Sequence, residues 1–123
     1  MHRTAYLAVA TLSLTVLQAV AQNYPSRSIR FIVPYPPGGA GDLMGRSLAQ
    51  KLSERLGQQI IVDNRAGAGS TIGTELVVKS APDGYTLLMV DTAFTTNPSL
   101  YRKLPYDSAR DLAPVSLLAS APV

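Results

Sequence analysis

Tyr35, Gly38, Gly39, Ala40 and Asp42 fall within one stretch, PYPPGGAGD (34–42), between an apolar run and an amphipathic one. These residue types suit the holding of a small anion. Gly38 and Gly39 carry no Cβ, so a ligand can approach the main chain closely. Amides at the start of a helix have no intrahelical acceptor and lie at the positive end of its dipole, which favours a carboxylate or similar group. Pro34, Pro36 and Pro37 stiffen the exit from the preceding run. Asp42 opposes an anion unless it caps the helix or orders a water or a ligand amine. A tight turn in which Asp42 is only an N-cap accounts for the same residues.

Two other stretches have similar potential. RAGAGST (65–71) also runs into a helix start, with the amide of Gly69 and the hydroxyl of Ser70 available. DTAFTTN (91–97) offers neutral hydrogen-bonding side chains, Thr92, Thr96 and Asn97, around Phe94, a mixture that suits a small polar ligand. Simple capping is the alternative reading of each. A different chemistry is also open. Gly67, Gly69 and Gly73 form a GxGxxxG pattern between a strand and a helix, and Asp91 ends the next strand near the position of a ribose-binding acid. That would make the chain an exported dinucleotide-binding enzyme. Against it, the spacing is not GxGxxG and the glycines follow the second strand, not the first.

What is missing narrows the chemistry further. The chain has 123 residues, no cysteine and one histidine, His2. His2 lies in a leader-like segment, so the mature chain is expected to have neither residue. That excludes Ser-His-Asp and Cys-His catalysis and the usual zinc ligand sets within these residues. No catalytic residue, metal or cofactor is therefore expected. The formal charge of +3 is small, and Lys and Arg occur singly with no aromatic platform beside them, which gives no basis for a nucleic-acid partner. At 46% hydrophobic and 15% charged, the composition is that of a globular domain.

These loops need elements to position them. Ile29 to Val33 reads as a buried strand bounded by proline. Leu43 to Leu56 reads as a helix, with Met44, Leu48, Leu52, Leu56 and Ala49 inward and Gly57 as its C-terminal stop. Ile60 to Val62 reads as a second strand, and Thr71 to Ser80 as a second helix with Ile72, Leu76 and Val77 inward. Pro82-Asp83-Gly84 is a turn. Thr86 to Val90 reads as a third strand, residues 91–107 as loop or broken helix, and Leu112 to Ala119 as a fourth strand or a crossover. The alternation specifies an α/β fold: a parallel sheet with helices on both faces. If the strand order is 2-1-3, the loops after strands one and three face each other beyond the carboxyl ends of the strands, where such sheets bind ligands.

Residues 1–21 read as a signal peptide. His2 and Arg3 precede an apolar stretch to about Leu17, and Ala19-Val20-Ala21 has the small-x-small form of a cleavage site. Cleavage after Ala21 implies export, and export without cysteine fits a bacterial periplasm.

The segments YPSRSIRFIVPYPPGGAGD, LAQKLSERLGQQIIVDNRAGAGSTIGTE, APDGYTLLMVDT and NPSLYRKLPYDSARDLAPVSLLA, in this order and spacing, resemble the tripartite tricarboxylate transporter solute receptors, also called Bug receptors. The resemblance implies a monomeric periplasmic binding protein of the two-lobed type II fold. Such a receptor holds a small carboxylate between its lobes and delivers it to membrane permease subunits without chemistry on the ligand. It implies Tyr35, Gly38, Gly39, Ala40 and Asp42 as the first-lobe carboxylate loop, Thr92, Thr96 and Asn97 in the facing loop, and Gly69 and Ser70 near the second helix start. Gly41, Ala66, Ser70 and Asp91 depart from the residues usual in that family. It further implies that residues 22–123 form the first part of lobe one, with the second lobe absent from these residues.

Overall fold

The computed structural model describes residues 23–120; the expected leader lies outside them. Strand β1 (Ile29–Val33), helix α1 (Ala40–Leu56), strand β2 (Ile60–Asn64), helix α2 (Thr71–Val78), strand β3 (Thr86–Leu88) and helix α3 (Thr92–Leu100) follow in that order. The three strands form one parallel sheet, ordered β2-β1-β3. Ile29 pairs with Ile60 and Val33 with Asn64 on one side of β1, and Phe31 pairs with Leu87 on the other. The crossover from β1 to β2 and the one from β2 back past β1 to β3 run in opposite directions, so right-handed connections put α1 and α2 on opposite faces.

Alternate residues of β1 serve the two faces. Ile29, Phe31 and Val33 join Ala49, Ile60 and Met89 in the core under α1. Ile32 is fully buried on the other face. Both helices approach the sheet through a glycine. A Cβ on Gly45 of α1 would lie 2.8 Å from Val33 Cγ2, and one on Gly73 of α2 would lie 2.8 Å from Pro34 Cβ. The end of β1 is thus gripped from both sides, which fixes where its following loop begins.

This close approach corrects the expected helix faces. In α1 the most buried residues are Asp42, Gly45 and Ala49, with Leu48 and Leu52 packed partly against the core. Met44 and Leu56, expected inward, are 46% and 38% exposed. In α2, Gly73, Thr74 and Val77 are buried, and Ile72, also expected inward, is 51% exposed. Small residues line the contact, and larger apolar ones turn outward. The first helix begins three residues earlier than expected, the second strand runs two residues further, and the broken segment after β3 contains a nine-residue helix that tolerates Pro98. Leu112 to Ala119 carries no strand, and Val115 and Leu117 are exposed.

The expected turn lies at the opposite end of the sheet from the loops. Gly84 has φ +80, and Asp83 Oδ1 accepts from the Tyr85 amide at 3.0 Å. The N-terminal segment is fastened there. Tyr24 donates its hydroxyl to Gly84 O at 2.7 Å, and Arg27 pairs with Asp83 at 2.9 Å while stacking 4.1 Å over the Tyr85 ring. Among the described residues no helix is long and apolar enough to cross a membrane.

Candidate functional site

The three suspected loops converge at the carboxyl edge of the sheet. The Pro34–Gly39 loop leads into α1, the Arg65–Ser70 loop into α2, and β3 into α3 through Asp91. Gly73 of α2 packs on Pro34 of the first loop. Asn97 of α3 is 2% exposed and donates Nδ2 to Gly69 O of the second loop at 2.7 Å.

Asp42 is not the N-cap of α1. Gly39 holds that position with an extended backbone, and Asp42 lies three residues further on, in the first turn. From there its Oδ2 accepts the Gly38 amide at 2.8 Å. Arg46 Nε donates to the same carboxylate at 3.0 Å, and Asn64 Nδ2 donates to Oδ1 at 3.0 Å. Asn64 Nδ2 also reaches Tyr35 O at 3.0 Å, and its Oδ1 accepts from Arg46 at 3.1 Å. The carboxylate is only 3% exposed. The Arg46 guanidinium, the Gly38 amide and Asn64 together hold its pKa down at about 2. Its charge is thus compensated from within the protein.

The free amides lie just after the two glycines. The Gly38 amide is engaged by Asp42, and the Gly39 amide makes a long contact of 3.5 Å to Pro36 O. The donors with no acceptor among the described residues are the amides of Ala40, Gly41 and Asp42, the first three positions of α1; the next amide, Leu43, bonds Gly39 O at 3.0 Å. The glycines shape the entry, with Gly38 at φ +83, and the helix start supplies the donors. Tyr35 forms one wall. Its ring lies so close to Gly41 that a Cβ there would sit 2.6 Å from Cδ2. Its hydroxyl is buried with no hydrogen-bond partner among the described residues. Burial, then the neighbouring Asp91 carboxylate, pushes its pKa well above the ordinary tyrosine value.

In the second loop, Gly67, Ala68, Gly69 and Ser70 all have positive φ: 131, 47, 60 and 71. Ser70 is the N-cap of α2 but makes no side-chain cap, and its hydroxyl is buried and unpartnered. Thr71 secures the loop instead, donating its amide and hydroxyl to Ala68 O at 3.2 and 2.8 Å. In the third segment Thr92 and Thr96 are exposed on α3, and the Thr96 hydroxyl turns back to Thr92 O at 3.2 Å. Asn97 is committed to Gly69, so it braces the loops from below.

The dinucleotide pattern does not assemble. Its glycines follow β2, an edge strand of the sheet and not the central one. Asp91 Oδ1 caps α3 by accepting the Ala93 amide at 2.8 Å. Arg46 and Asn64 were missed by the sequence reading. Arg46 was legible as an i+4 partner of Asp42 on one helix face. Asn64 is not legible because the apolar run stops at Val62, two residues short of the strand's end. Among the described residues no three acidic, histidine or cysteine side chains cluster to hold a metal.

The structure is a parallel α/β layer with unpaired amides at the carboxyl edge of its sheet, the edge at which such sheets bind ligands. Comparison with known proteins gives the family. Residues 44–123 match the model of the tripartite tricarboxylate transporter family receptor, and the chain belongs to that family, one of binding receptors and not of enzymes. Over 98% of its length the chain is 44% identical to the UPF0065 protein of the tcbD-tcbE intergenic region of Pseudomonas sp. strain P51. Over 84% it is 48% identical to protein BugT of Bordetella pertussis. It covers 37% and 32% of those proteins, about a third of their length. Its fold matches the periplasmic binding protein BugD at a TM-score of 0.69 and 41% identity, covering 72% of this chain and 29% of BugD. It matches MatC of Rhodopseudomonas palustris with bound malate at 0.73 and 34%, covering 77% and 33%. A second R. palustris protein, with adipate, matches at 0.67 and 37%, covering 70% and 29%.

Proposed function

We propose that residues 22–123 supply the first part of lobe one of a periplasmic receptor that captures a small carboxylate and passes it to the membrane permease of a tripartite tricarboxylate transporter. The observation that carries this reading is the trio of unpaired amides at Ala40, Gly41 and Asp42 beside an acid whose charge is already compensated. Three converging N–H groups at the positive end of a 17-residue helix favour one carboxylate group over water. Tyr35 limits the space above the helix start, and Gly38 and Gly39 let the ligand reach the main chain. Gly69, Ser70, Thr92 and Thr96 form the opposite rim, with Asn97 as its brace.

The malate and adipate found in two structural relatives support a carboxylate as the ligand class. Residues beyond these would close over the ligand, because small-molecule sites bury most of the ligand surface. Export by a leader cleaved after Ala21, and action as a monomer, belong to the same proposal. Titration calorimetry of the complete polypeptide against di- and tricarboxylates tests it. Saturable binding that is weakened by Ala40→Pro, which removes the first of the three amides at a position where proline suits a helix start, supports the reading; indifference to every carboxylate sinks it.

A further inference from the structure

The anion reading leaves one carboxylate at this site unused. Asp91 is exposed, and beyond its cap to Ala93 its carboxylate makes no hydrogen bond or ion pair among the described residues. Tyr35 lies beside it. The parallel register pairs Ile32 with Leu88, and the Met89 amide donates to Ile32 O at 3.0 Å, so three more residues along each chain bring Tyr35 level with Asp91. The Tyr35 ring lays its Cγ–Cδ2–Cε2 edge on Gly41, and burial followed by the neighbouring Asp91 carboxylate raises the pKa of its hydroxyl. That hydroxyl has no geometrically sound partner. An acid with one carboxylate oxygen unused and an unpartnered hydroxyl therefore adjoin the Tyr35 ring that packs on the first turn of α1.

A fixed carboxylate beside an anion site repels a ligand that is only an anion, the more so as water is excluded. The repulsion is offset if the ligand brings its own donor. We propose that Asp91, steadied by Tyr35, makes this site select carboxylates that carry a hydroxyl or ammonium donor on the adjacent carbon over carboxylates that lack one. The inference rests on the carboxylate-receptor reading above. The free oxygen of Asp91 accepts from the ligand donor, and the Tyr35 hydroxyl donates to Asp91. The ligand carboxylate meets the amides of Ala40, Gly41 and Asp42.

The test is calorimetry on the complete polypeptide with matched acids of two to six carbons, each with no substituent, an α-hydroxyl or an α-amino group. At least one donor-bearing member of a bound set should bind about tenfold or more tighter than its plain counterpart, since a hydrogen bond to a charged group is a strong one. The hydroxyl and amino arms identify which donor is used. Asp91→Ser keeps a capping oxygen for α3 but removes the charge, and it should reduce the preference to within about twofold. Tyr35→Phe should reduce the preference partly, by less than Asp91→Ser does. Equal affinities in the wild type, or a preference unchanged in Asp91→Ser, overturn the selection and leave the receptor reading standing. Binding of no acid in any set overturns both.

Discussion

The Gly38 amide donates to the Asp42 carboxylate at 2.8 Å, closing the entry to α1 on itself. The same carboxylate receives Arg46 and Asn64, so one buried acid joins the first loop, the first helix and the end of β2. These partners all favour the ionised form and hold its pKa at about 2, below the usual 3.8. A depressed folded-state pKa gives stability that is complete above the unfolded value and is lost as the pH falls through the folded one. Asp42 should therefore contribute fully above about pH 4 and lose its contribution between about pH 4 and 2. Asp42→Asn should lower the urea midpoint at pH 7 and flatten the acid decline in that window. Parallel midpoint curves for wild type and variant from pH 7 to 2.5 would show that the network does not act this way.

Gly73 allows α2 to rest on the end of β1. A Cβ there would meet Pro34 Cβ at 2.8 Å and the Arg65 carbonyl oxygen at 3.0 Å, and neither group is the free end of a flexible side chain. Within a helix, Gly→Ala normally gains about 1 kcal/mol. Overpacking of a tight contact costs about 1–3 kcal/mol. The clash should prevail, so Gly73→Ala is expected to lower the denaturant midpoint. It should also shift the first loop and weaken carboxylate binding. A variant as stable as the wild type would mean that the helix can lift away from Pro34 freely.

Asn97, itself buried, holds the second loop to α3 through a partly buried hydrogen bond of 2.7 Å to Gly69 O. Removing its amide loses that bond, at a cost of about 0.5–1.5 kcal/mol because the exposed Gly69 can turn to water. Asn97→Ala should lower the melting temperature and raise hydrogen exchange at Gly67 to Ser70 more than in β1. Asn97→Asp keeps the shape but presents an acceptor to an acceptor, so it should do at least as much harm. Uniform exchange across the chain in both variants would sever the link between α3 and the loop.

Much of this arrangement was legible in the residues. Ile29 to Val33 is apolar at every position but Arg30 and ends at proline, and it forms the central strand with the expected bounds. The alternation of strands and helices gave the parallel sheet, because only crossover connections can join such strands. The helix faces were less legible. Periodicity assigns the largest apolar residues to the interior, whereas here Gly45, Ala49 and Gly73 make the contact and Met44 and Ile72 face outward. A close helix–sheet approach depends on the opposing surface, which a one-dimensional pattern does not contain. The same limit applied to the first loop. Its glycines marked the place, but the partner of each amide depended on where Asp42 and Asn64 folded back.

Ser70 combines two costs in one residue. It lies at φ +71 without being glycine, and its buried hydroxyl has no partner among the described residues. The left-handed conformation costs an L-residue about 1–2 kcal/mol. An unsatisfied buried hydroxyl adds about 1–3 kcal/mol. Ser70→Gly removes both, against about 0.5–1 kcal/mol for the greater freedom of glycine in the unfolded chain. The variant should therefore be more stable than the wild type by about 1 kcal/mol or more, with a correspondingly higher denaturant midpoint. Ser70→Ala removes only the hydroxyl and should fall between them. If the hydroxyl is kept for a ligand, Ser70→Gly should gain stability while losing carboxylate affinity, and calorimetry on the same samples reads that second effect. A loss of stability in Ser70→Gly would show that the hydroxyl has a partner and that the strain is compensated within the fold.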